Sequence, residues 1–134
     1  MQPIVRPDLR FPRFWLLGGL TMVLIITFLS LMPGDKLPDA HLSDKVEHIL
    51  AYVALALWFG GIMTRSSYLL IVLALLAFGV LIELLQGGMG WGRQADLLDL
   101  GADAVGIAAG LLLALTPVGR WARWLESLQH QIAR

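Results

Sequence analysis

The chain has 134 residues, equal numbers of basic and acidic side chains (Lys+Arg 10, Asp+Glu 10), 57% hydrophobic content and a mean hydropathy of +0.73. So apolar a composition at this length excludes an ordinary water-soluble domain, and zero net charge excludes bulk attraction to nucleic acid. Cysteine is absent, which excludes disulfides and thiol chemistry.

Four apolar stretches, residues 14–32, 46–63, 68–86 and 97–115, are each long enough to cross a hydrocarbon core about 30 Å thick, which takes roughly 20 helical residues. The expected fold is all-α: a four-helix transmembrane bundle with a short C-terminal amphipathic helix, one domain over residues 1–134 without internal repeats. Arg6, Arg10 and Arg13 flank the first stretch as they would a secretion signal. Its apolar run is too long for the usual signal core, however, and no Ala-x-Ala site closes it, so a retained signal-anchor helix is expected. Met32-Pro33-Gly34 ends that helix, and a polar run through Pro38 to Ser43 connects it to the second. Residues 64–67, with Arg65, make a short turn into the third. Gly87, Gly88, Gly90 and Gly92 around Trp91 predict a sharply bending loop before the fourth, with Trp91 at headgroup level. After Pro117, the tail 118–134 sets Val118, Trp121, Trp124, Leu125 and Leu128 on one helical face and turns Arg120 and Arg123 away, the pattern of an interfacial helix lying flat on a leaflet.

With four spans both termini share one side. Arg6, Arg10, Arg13, Arg65, Arg120, Arg123 and Arg134 fall there, whereas Lys36, Lys45 and Arg93 fall on the other, so the positive-inside rule predicts cytoplasmic termini. The acids run the opposite way. Only Asp8 and Glu126 share the side of the termini, whereas Asp35, Asp39, Asp44, Glu47, Glu83, Asp96, Asp99 and Asp103 lie on or near the outer side.

Three helices carry polar residues at that outer end. Asp96, Asp99, Asp103, Gly106 and Gly110 recur at three- and four-residue steps, so they form one stripe of the fourth helix. Its small residues suit close helix contact, and its carboxylates therefore face protein rather than lipid. Asp44, His48 and Tyr52 follow four-residue steps along the second helix, with Lys45 at their margin, reaching about 12 Å inward at 1.5 Å per residue. Glu83 and Gln86 lie on adjacent turns where the third helix ends. A charged side chain near mid-membrane costs about 2.5 to 3.5 kcal/mol unless it pairs or reaches water, so convergence in one pocket is expected.

Glu83 is the candidate general acid/base or cation ligand, against a carboxylate that merely reaches the outer surface. His48 is the candidate for proton transfer or ligation, against a satisfied interface histidine, and Asp99 and Asp103 complete the catalytic candidates. Asp44, Lys45, Tyr52, Gln86, Arg93 and Asp96 are the candidate ligand-binding residues. Arg93 suits a lipid phosphate, a pairing with Asp96 three residues on, or solvent, and helix capping explains Asp96 and Asp99 almost as well as a functional role. His48 with Glu83, Asp99 and Asp103 would make a believable metal-ligand set, but the spacing is not diagnostic and no metal is assigned. No cofactor is indicated. There is no Ser/His/Asp order, phosphate-binding glycine loop or dinucleotide fingerprint.

Asp44-Lys45-x-x-His48-x-x-x-Tyr52, Glu83-x-x-Gln86 and Arg93-x-x-Asp96-x-x-Asp99-x-x-x-Asp103-x-x-Gly106 occur in an order and spacing that resembles the VanZ-like family of small bacterial membrane proteins. The likeness covers roughly residues 44–110. It implies a four-span protein of the bacterial inner membrane, in a family named for a factor giving low-level resistance to the glycopeptide teicoplanin. The family usually has asparagine where this chain has Asp103.

The leading functional expectation is a periplasm-facing intramembrane pocket that binds or processes an envelope lipid or a lipid-linked cell-wall precursor. In it, Arg93 and Lys45 would hold an anionic group, while the acids and His48 position it or move a proton. A structural or accessory subunit without its own chemistry, working with a protein partner, is the second reading. A proton or cation relay is the third, weakened because the cytoplasmic halves of the spans are nearly free of polar residues. Membrane lipids are the expected surroundings, and the residues do not decide between binding and catalysis.

Overall fold

A computed structural model describes residues 3–33, 43–90 and 95–132. Among these, four long apolar helices, α1 (Pro12–Leu31), α2 (Asp44–Ile62), α3 (Tyr68–Met89) and α4 (Leu97–Leu115), are followed by the short α5 (Trp121–Ile132). Each of the four meets the length and hydropathy of a membrane span. Short 3-10 turns at Arg65–Ser67 and Pro117–Arg120 lead into α3 and α5.

Local chemistry fixes most of the helix boundaries. Pro12 sits in the first turn of α1, where its missing N–H costs nothing, and the helix starts two residues before the apolar run. Ser43 caps α2 through its hydroxyl, with Asp44 and Glu47 in the positive first turn. Asp96 caps α4 by accepting from the Leu98 N–H at 2.8 Å. The expected glycine loop begins later than the sequence suggests, because α3 continues through Gly87 and Gly88 to Met89. Glycine costs a helix only about 1 kcal/mol relative to alanine, which does not forbid it; the stop comes at Gly90, whose φ of 64° is left-handed. Trp91, Gly92 and Arg93 lie outside the described residues, as do Lys36, Pro38 and Arg134.

The bundle is built around the α2–α4 seam. A Cβ placed on Gly106 would stand 2.5 Å from the Ile49 carbonyl oxygen, and one on Gly110 would stand 2.6 Å from that of Val53. Only glycine lets these backbones approach so closely, which is what the small-residue stripe predicts. Tyr52, Leu55, Ala56, Ile71, Leu75, Ile107 and Leu111 form the buried core beside the seam. Phe14, Leu24, Phe28, Leu69, Leu84 and Leu112 face outward, as spans surrounded by lipid require.

The N-terminal arm, the α2–α3 turn and α5 meet at one end of the bundle. The Arg6 N–H donates to the Ile62 carbonyl at 3.0 Å, and the Arg10 and Phe11 N–H groups donate to the Glu126 carboxylate at 2.9 and 3.0 Å. Glu126 also accepts from the Trp15 indole at 2.8 Å, so a residue of α5 caps the start of α1. Trp121 corrects the sequence reading: instead of joining a lipid face it packs edge-on against Trp15 (5.1 Å between ring centroids) and close to Trp58 (4.5 Å). The reason is local. Gly61 of α2 leaves a recess that the Trp121 indole fills, and its N–H reaches the Leu57 carbonyl at 3.4 Å. Val118, Trp124 and Leu125 stay exposed and form the apolar face left on the tail.

Candidate functional site

Every polar residue predicted to converge on the far end, and described in the structure, projects from α2, α3 or α4 near that end. The glycine seam sets the register between α2 and α4, so Lys45 faces Asp96 and Asp99, and one turn deeper His48 faces Asp103. The Lys45 ammonium donates to Asp96 Oδ2 at 2.9 Å and to Asp99 Oδ1 at 3.1 Å. His48 Nδ1 lies 2.8 Å from Asp103 Oδ1, with the imidazole only 9% exposed and the carboxyl fully buried.

The third helix completes the cluster. Glu83 Oε2 accepts the Asp96 N–H at 2.7 Å, which ties the end of α3 to the start of α4. Gly79, one turn deeper on α3, faces the Asp103 carboxyl and the Tyr52 hydroxyl. Asp96 therefore has three roles at once: it caps its own helix, binds Lys45 and offers its N–H to Glu83. The Lys45 ammonium, together with the Leu98 N–H, holds the Asp96 carboxyl below the usual carboxylate range.

Three buried polar atoms in this cluster lack a well-aligned hydrogen bond: Tyr52 OH on α2 and Asp103 Oδ2 on α4, which face each other beside Gly79, and Glu83 Oε1 on α3. Buried polar groups are nearly always paired, so these atoms leave hydrogen-bonding capacity unused within the cluster. The charges are also unequal. Among the described residues, Asp44, Glu83, Asp96, Asp99 and Asp103 are set against one ammonium, that of Lys45, and one imidazole, that of His48.

Two expected roles change. Lys45 was read as a holder of an anionic group, but its ammonium already lies between two aspartates, so it has little positive charge left to offer an anion. Gln86 donates its amide to the Ser30 carbonyl of α1 at 2.8 Å, which makes it a strut between helices. Arg93 lies outside the described residues. The metal-ligand set weighed from sequence also differs from the geometry: the side chains whose ligand atoms lie within 4.8 Å of one another are Asp44, His48 and Asp99, without Glu83 or Asp103.

The other end of the bundle holds features that the sequence reading left aside. A cleft of about 440 Å³ is lined by Arg6, Arg65, Arg120 and Tyr68, and a second of about 470 Å³ runs along Arg120, Trp121 and Trp124. Arg6 donates from its guanidinium to the Gly61 and Gly119 carbonyls, both at 3.2 Å, so it braces the backbone there.

Comparison with family models, with curated proteins and with solved structures returns no match. The resemblance to the VanZ-like family rests on the residue pattern alone.

Proposed function

We propose that this is a VanZ-like protein of the bacterial inner membrane. Its polar cluster, at the periplasmic end, receives the headgroup of an envelope lipid or a lipid-linked cell-wall precursor. One observation carries the reading: Glu83 Oε1 is buried without a partner, near a Tyr52 OH and an Asp103 Oδ2 that face each other without a well-aligned hydrogen bond. The cluster is rich in acceptors and its lysine is engaged, so the complementary headgroup presents hydroxyl or amine donors rather than a bare anion. Cytoplasmic termini follow from the count of basic residues. The shared end of the N-terminal arm, the α2–α3 turn and α5 supports an even number of crossings.

Native mass spectrometry of the protein released from its own membrane tests this. A defined lipid class should accompany the wild type and be lost from Glu83→Gln and Tyr52→Phe at unchanged abundance, with a parallel change in glycopeptide susceptibility of the cells. Retention of the same lipid by both folded variants would refute the headgroup reading.

A second reading has its own support. Lys45 with Asp96 and Asp99, His48 with Asp103, and Glu83 with the Asp96 N–H together pin three helices in register. A purely structural or accessory role predicts that these variants change abundance and nothing else. The relay reading has less support, because the halves of α2, α3 and α4 nearer the termini offer no continuing line of ionisable groups.

A further inference from the structure

The geometry points to a divalent transition-metal site, of the zinc or manganese class, formed by Asp44, His48 and Asp99 at the mouth of the polar cluster, with Asp103 positioning the imidazole. One ligand atom from each of the three lies within 4.8 Å of the others. Bonds of 2.0–2.2 Å require a tetrahedral edge of about 3.4 Å, so the three ligand atoms would have to close in on the ion. Two of the ligands stand one turn apart on α2. The third comes from α4 across the seam where Gly106 and Gly110 let the two backbones approach closely, so the donor set spans that contact.

The histidine is prepared for ligation. Asp103, fully buried, holds Nδ1 at 2.8 Å and leaves Nε2 as the nitrogen available to a cation. A carboxylate behind an imidazole is the usual way a metal-binding histidine is oriented and made more basic. One carboxylate oxygen each of Asp44 and Asp99 lies within 4.8 Å of the other and of a His48 ring nitrogen, a crowding of acids that a cation would relieve. Independently of these ligands, Glu83 is 8% exposed and has an unpartnered Oε1, and Asp99, His48 and Asp103 are its electrostatic neighbours. A bound cation would balance this surplus of acids.

The donor types set the metal class. An imidazole with two carboxylates favours zinc or manganese, whereas magnesium and calcium prefer oxygen alone. Lys45 competes from one side, since its ammonium occupies Asp99 Oδ1 and leaves Oδ2 for the metal. The inference uses the polar cluster described above but not the headgroup proposed for it.

The full-length protein, purified in detergent micelles and stripped with a chelator, is titrated by calorimetry with zinc, manganese and magnesium chlorides, and with cobalt(II) as an optical probe. One equivalent of zinc or manganese should bind at least about tenfold tighter than magnesium, and cobalt should show ligand-field bands with imidazole character. His48→Gln should abolish binding, and Asp103→Asn should weaken it by about 10- to 100-fold. Asp44→Asn, at an exposed position where folding is least at risk, should weaken it at least tenfold. Lys45→Gln should tighten it. Absence of a stoichiometric site, equal preference for magnesium, or affinity unchanged in folded Asp44→Asn and His48→Gln would overturn the inference. A lipid retained by protein that binds no metal sinks the metal site alone; metal bound by protein that retains no lipid sinks the headgroup reading alone.

Discussion

Glu126 caps a helix that begins more than a hundred residues before it, and replacing it separates three hydrogen bonds that share one side chain. Its Oε2 accepts from the Arg10 N–H, and its Oε1 accepts from the Phe11 N–H and the Trp15 indole. Hydrogen bonds to a charged acceptor are worth about 1.5–3 kcal/mol each when fully sheltered. Glu126 is only half-buried, so after screening by solvent the three together should contribute about 2–3 kcal/mol. Glu126→Ala removes all of this. Glu126→Gln keeps an oxygen for Phe11 and Trp15 but turns an amide toward the Arg10 N–H, and should cost about 1 kcal/mol.

The pH dependence carries a sign. Burial pushes the Glu126 carboxyl up, but the Arg10 N–H, the Trp15 indole and the Phe11 N–H outweigh it and hold it below the usual range. A group depressed in the folded state stabilises above its unfolded value, here about 4.3, and loses that contribution as pH falls through the folded value. Unfolding curves in detergent at pH 7, 5 and 3 should therefore show wild type and Glu126→Gln separated at the first two and converging at the third. Equal stability of wild type, Gln and Ala at pH 7 would show that the cap contributes nothing, and a gap between wild type and Gln that persists unchanged at pH 3 would show that its contribution does not depend on the carboxylate charge.

Other variants test the seam and the buried pair. Gly106→Leu forces a side chain against the Ile49 carbonyl and the Tyr52 Cβ, which a bare Cβ would already approach to 2.5 and 2.9 Å. It should cost about 2 kcal/mol or more in the same unfolding assay, whereas substitution at Gly101, where a Cβ meets nothing within 4 Å, should not lower stability. Asp103→Leu strands His48 and should cost about 3–5 kcal/mol, while Asp103→Asn keeps an acceptor oxygen for Nδ1 and should cost well under half of that. Equal losses in the two Asp103 variants would mean that the hydrogen bond to His48 is not what stabilises this pair.

The parts legible in the sequence were those with a local period. The spacing of Asp96, Asp99, Asp103, Gly106 and Gly110 places these residues on one face whatever the rest of the chain does, and the structure turns that face to α2, burying all but Asp96, which stands half-exposed at the rim. The same holds for Asp44, His48 and Tyr52, although Asp44 itself remains exposed at the mouth. Partner choice was less visible, since it depends on which helices become neighbours. Nothing near Gln86 says that its amide will find the Ser30 carbonyl, and nothing near Lys45 says that two aspartates will engage it. The trio of Trp15, Trp58 and Trp121 was missed for the same reason, because helical periodicity describes a tail's own faces and not the recess into which one of them fits.

The carboxylate that finishes α1 is 115 residues downstream of Phe11. At ribosomal speeds of about 5–20 residues per second, roughly 6–23 s of translation separate the first helix from its cap. The leading span must therefore be held in the bilayer by its apolar length during synthesis, with open amides at its start. Docking of α5 therefore comes well after the first span is made, and a chain cut before Glu126 would insert but stay unlatched.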